Sequence, residues 1–101
     1  MKRSNEFVTN LIRTMKRAKP AGQVKLAYAI QAFLISDVAF DAAYSGLKVS
    51  FDHWTTCKDG WIQAMSARHS ETYQKDLQVA VDKMCRAWDI VTTDFENAMK
   101  V

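Results

Sequence analysis

Between Ser70 and Lys100 the apolar positions fall at Leu77, Val81, Met84, Trp88, Val91, Phe95 and Ala98, in steps of 4, 3, 4, 3, 4 and 3. A repeat held at 3.5 residues marks the seam of an α-helix that packs lengthwise against another helix. Neither Gly nor Pro interrupts the stretch. Ser70 is suited to cap its start, with Ser66 as a second candidate, and Glu71 places negative charge in the first turn. The pairs Glu71/Lys75, Asp82/Arg86 and Glu96/Lys100 are spaced i,i+4 in the favourable order. Each contributes only about 0.2–0.5 kcal/mol, so burial of the seam decides the helix. Ala80 and Ala87 lie beside the seam, where small residues let a partner helix approach closely. Such a helix is about 45 Å long, against a radius of gyration of about 13 Å for a compact chain of this length. It therefore either spans an elongated bundle or overhangs its own body to meet a partner.

The rest of the chain also carries mainly helical spacing. Phe7, Val8, Leu11, Ile12 and Met15 form one stripe, predicting a first helix from about Asn5 to about Ala18 with Ser4 as its cap. Pro20-Ala21-Gly22 predicts a turn. A second helix is expected from about Gln23, apolar nearly all round and so central, running to Tyr44 with Ser45-Gly46 as its stop. Ser36-Asp37 offers the alternative of two helices, 23–35 and 37–45. Leu47 to Phe51 alternates and is expected to be an extended connection. From Phe51 to about Ala67 the spacing of Phe51, Trp54, Cys57, Trp61, Ile62 and Met65 favours a helix. Asp59-Gly60 leaves a hairpin as the alternative, and a third option runs one helix from Trp61 through His69 into the C-terminal stretch. The expected fold is all-α: a single domain over 1–101, three to five helices, with the C-terminal helix packed along the second and the first laid over them.

Composition supports this class and adds a charge asymmetry. With 49% hydrophobic residues, 3 Gly and 1 Pro in 101, the chain is suited to a folded, helix-rich domain. Leu26 to Ile35, the most apolar run, is broken by Gln31 and too short to cross a membrane. With no secretory segment recognised, a cytoplasmic location is expected, with Cys57 and Cys85 as reduced, buried thiols. The net charge of +3 is unevenly spread. Lys2, Arg3, Arg13, Lys16, Arg17, Lys19 and Lys25 precede any acid but Glu6, leaving the remaining chain net acidic.

Candidate chemistry is sparse. No phosphate-binding glycine loop, nucleophile elbow or HExxH motif is present. His53 and Cys57 stand one helical turn apart, the spacing that brings imidazole to thiol, but no orienting group accompanies them. Those two with His69 and Cys85 supply zinc-type ligands at spacings that match no zinc framework. Asp37 and Asp41 share a face, with too few oxygens for a hard cation. No enzymatic activity, metal or other cofactor is therefore expected. Arg13, Lys16, Arg17 and Lys19 form a basic patch able to meet phosphates, although charge at a helix C-terminus is also favoured by the macrodipole. Should the last helix overhang its body, Trp88, Val91, Phe95 and Met99 would form an exposed apolar ridge suited to a protein contact.

The expected role is therefore non-catalytic binding inside the cell, through contact with another protein or with a second copy. Small domains without an active site are common among viral and mobile-element modulators of host complexes, and that is the class expected here. Nucleic-acid binding by the basic N-terminal helix is the alternative.

Overall fold

A computed structural model describes residues 5–35 and 41–99; at 5, 33–35, 41–44 and 99 the description is of backbone alone. The described residues form four helices and no strand: α1 (Asn5–Arg17), α2 (Pro20–Ile35), α3 (Asp41–Ser66) and α4 (Tyr73–Met99). The all-α expectation is met, with a long C-terminal helix. The expected caps Ser4 and Ser36-Asp37, and the basic residues Lys2 and Arg3, lie outside the described residues.

The centre of the fold is an antiparallel hairpin of α3 and α4, each about 40 Å long at 1.5 Å per residue. Its core takes Leu47, Phe51 and Trp54 from α3, and Met84, Ala87, Trp88, Val91, Phe95 and Ala98 from α4. Cys57 and Trp61 extend the α3 stripe toward the tip. Trp54 and Trp88 meet at 5.4 Å between ring centroids with planes tilted by 53°, a geometry worth about 0.5–1.5 kcal/mol beyond its buried area. The molecule measures 52 × 24 × 17 Å, so α4 spans an elongated bundle.

Several boundaries differ from expectation. Pro20 opens α2 instead of forming a turn, because proline costs nothing in a first helical turn where no intrahelical N–H bond is needed. The break between the two helices is confined to Ala18-Lys19, where the Gln23 amide already donates to the Lys19 carbonyl at 2.9 Å. The second helix is described as far as Ile35, as in the two-helix alternative, with 36–40 outside the described residues, and the expected stop at Ser45-Gly46 lies inside α3. Leu47 to Phe51, expected to be extended, is helical, and the region 51–66 is helix with Gly60 within it. A mid-helix glycine costs about 1 kcal/mol. Burial of Leu47, Phe51 and Trp54 along one stripe outweighs that, at about 1.5–3 kcal/mol per large side chain. The hairpin turn occupies 67–72, which rules out a continuous helix through His69. There the Thr72 carbonyl accepts the Asp76 amide at 2.8 Å and starts α4, while the Thr72 hydroxyl donates to Asp76 at 2.7 Å.

Helix α2 is also not central. It buries one stripe, Gln23, Ala27 and Ile30, and leaves Tyr28 exposed, and α4 packs principally along α3 and not along α2. A polar clasp fixes α1 and α2 to the hairpin. The fully buried Gln23 accepts from Trp54 Nε1 at 3.0 Å and donates to the Ala18 carbonyl at 3.2 Å and to Cys85 Sγ at 3.6 Å. Trp88 Nε1 donates to the Met15 carbonyl at 2.6 Å, closing the C-terminal end of α1 onto α4.

Candidate functional site: a groove on the open face of the hairpin

Both hairpin helices carry a second stripe beside the core stripe. On α3 it runs His53, Cys57, Gly60, Ala64; on α4 it runs Val79, Ala80, Lys83, Arg86, Ala87, Ile90. At about 100° of rotation per residue, each second stripe is centred roughly a quarter-turn from its core stripe, with Cys57 and Ala87 on the boundary between the two. The two stripes face the same side and line a groove of about 630 Å³. Helices α1 and α2 attach on the other side, at Cys85 and Trp54 through Gln23 and at Trp88 through the Met15 carbonyl. Among the described residues only α3, α4 and no other helix line the groove.

The groove is apolar at its base and aliphatic at its margin. Ala87 is buried and Cys57, Ala64 and Ala80 are half-buried, so the base is made of small groups. Val79, one turn in from Asp76, and Ile90, at the other end of the α4 wall, have 47% and 50% of their surface exposed. They are two of the six large apolar side chains that stand about half or more exposed among the described residues, and these two flank an apolar base of small groups, an arrangement suited to a contact surface. The same wall carries Lys83 and Arg86, both exposed and neither ion-paired among the described residues. Asp76, at the far end, accepts from Thr72.

The residues singled out in the sequence fall in different places. Trp88, Val91 and Phe95 do not form an exposed ridge: each is at most 2% exposed, and α3 and α1 pack against this part of α4 through Trp54, Met15 and Lys16. Met99 closes α4, and its side chain lies outside the described residues. The basic residues Arg13, Lys16, Arg17 and Lys19 are all exposed. Lys16 is turned to Glu96 at 3.1 Å, so part of the patch is used within the chain. Arg17 joins Thr14, Lys25 and Leu26 around a shallow cleft of about 560 Å³ between α1 and α2.

His53 and Cys57 do meet, with Nε2 3.9 Å from Sγ, at the edge of the groove. Cys85, by contrast, faces Gln23 on the opposite side of the hairpin, and His69 sits in the turn, so the four zinc-type ligands do not converge. No group of three or more His, Cys, Asp or Glu side chains able to hold a metal ion occurs among the described residues. Both cysteines are free thiols, half-buried and not fully enclosed as expected. No described helix is long and apolar enough to cross a membrane. Asp37 lies outside the described residues and Asp41 is described by backbone alone.

The groove itself was not anticipated from the sequence. Its signal in the sequence is the pair of small residues Ala80 and Ala87 beside the seam, which line the groove together with Gly60 and Ala64 of α3. No protein-family model matches the chain, and no curated protein or solved structure matches it.

Proposed function

We propose that this chain is a non-catalytic binding protein that acts by protein–protein contact, made through the groove between α3 and α4. The observation that carries the reading is the pairing of exposed Val79 and Ile90 with a base of small apolar groups on a face the other described helices leave open. Covering such a surface contributes about 25 cal/mol per Å² of apolar area removed from water. Few side chains need reordering, because alanine and glycine have little or no rotamer entropy to lose. A small modulator that occupies a surface of a larger complex, of the kind viruses and mobile elements encode, suits this mode of action. The test is affinity capture from native host cells with the wild-type chain, Val79→Asp/Ile90→Asp, and Arg13→Glu/Arg17→Glu. A partner lost only with the groove variant supports the reading. A partner retained by the groove variant overturns it.

Nucleic-acid binding is the second reading, favoured by the exposed Arg13, Arg17, Lys19 and Lys25 and the cleft that Arg17 and Lys25 share. Phosphate contacts of this type weaken steeply with salt. A mobility shift at low ionic strength that disappears in Arg13→Glu/Arg17→Glu supports it, and the absence of any shift removes it.

A further inference from the structure

We infer that the occupant of the α3/α4 groove is a single acidic amphipathic α-helix of another protein, with its carboxylates turned toward Lys83 and Arg86. This rests on reading the groove as a protein-contact surface and adds the chemistry of the partner. Shape selects a helix. The α4 wall runs from Asp76 to Ile90, about 21 Å or four helical turns. Two packed helices lie about 8–10 Å apart, and a third approaches them more closely where the facing side chains are small. Gly60, Ala64, Ala80 and Ala87, spread along the two walls, are small enough to allow that approach. A strand needs an unpaired backbone edge, which two helices do not offer, and a proline-rich segment needs an aromatic-lined groove. No Phe, Tyr or Trp side chain lines this one among the described residues.

Charge selects the sign. Lys83 and Arg86 stand in the middle of the wall without a carboxylate partner among the described residues, whereas Asp76 is at the end and already engaged by Thr72. A helix with Glu or Asp beside its apolar stripe answers both cations. A second copy of this chain answers them poorly. A twofold axis through the middle of the wall sets Lys83 near its own symmetry copy, and like charges so placed oppose association. The strongly amphipathic α1 is no better suited as an occupant, since it presents Arg13, Lys16 and Arg17.

The test uses two synthetic peptides of about 16 residues, long enough for four turns. Each has Leu at i, i+3, i+4 and i+7, with the flanking positions all Glu in one and all Lys in the other. Amide NMR spectra of the isotope-labelled full chain are recorded during titration. The Glu peptide is expected to shift Cys57, Gly60, Ala80 and Ala87 and to bind at least about tenfold more tightly than the Lys peptide. Lys83→Glu/Arg86→Glu, two exposed changes that leave the core intact, is expected to reverse the preference. Equal binding of the two peptides, or a preference unmoved by the double reversal, overturns the acidic-helix inference while leaving the groove a contact surface. So does concentration-dependent self-association that shifts the same amides with no peptide present. If neither peptide shifts a groove amide up to about 1 mM, a level at which even weak binding registers, and the chain stays monomeric, the inference and the contact reading fall together.

Discussion

Replacing Gln23 by leucine tests whether the buried clasp holds α2 to the hairpin. The side chain is 1% exposed, and its amide oxygen is the acceptor for Trp54 Nε1 at 3.0 Å. Leucine fills a similar volume but leaves that indole N–H buried without a partner, at a cost of about 1–3 kcal/mol. The bond to the Ala18 carbonyl is lost as well, but that corner is half-exposed and water can replace part of it, so this adds only about 0.5 kcal/mol. Extra apolar burial by leucine offsets about 0.8 kcal/mol for each added methylene equivalent. The net expectation is destabilisation by about 2 kcal/mol, a fall in Tm of about 8–16 °C for a domain of this size. Urea denaturation followed by tryptophan fluorescence measures it. The decisive arm is a double-mutant cycle with Trp54→Phe, which removes the donor. In that background Gln23→Leu should cost about 1–2 kcal/mol less, because no N–H is left stranded. Equal costs in the two backgrounds, or a stabilised single variant, would falsify the clasp.

Two further substitutions probe the core and the long helix. Phe95→Ala removes a fully buried ring and is expected to cost about 3–5 kcal/mol, read as loss of the cooperative thermal transition or a large fall in its midpoint; a near-neutral effect would place Phe95 at the surface after all. Gly46→Ala adds a methyl group where nothing lies within 4 Å, inside α3, and is expected to stabilise by about 0.5–1 kcal/mol in urea titrations. Destabilisation there would mean that α3 does not run unbroken through residue 46.

The sequence made some of this legible and hid the rest for definite reasons. The 3.5-residue spacing from Leu77 to Ala98 located the core face of α4, with Met84, Trp88, Val91 and Phe95 all buried. Spacing identifies the apolar side of a helix but not what covers it, which is why Trp88 and Phe95 were open to reading as a ridge. Glycine misled at two points. Gly46 suggested a stop and Gly60 a break, yet both lie within α3, where the stripe through Leu47, Phe51 and Trp54 supplies more than glycine costs. Pro20 was a helix start and not a turn, a distinction that rests on whether its missing N–H was needed. The groove was harder to see because it belongs to neither helix alone. Cys57, Gly60 and Ala64 become a surface only when the turn at 67–72 brings Ala80 and Ala87 beside them.

The proposed contact is tested most directly by position-specific photocrosslinking in native host cells. A photoreactive phenylalanine analogue is placed singly at Val79, at Ile90 and at Tyr28, the last being 66% exposed on the α2 side. Discrete protein adducts from Val79 and Ile90 and none from Tyr28 are the predicted result. Adducts from Tyr28 alone, or from none of the three positions, would contradict the account.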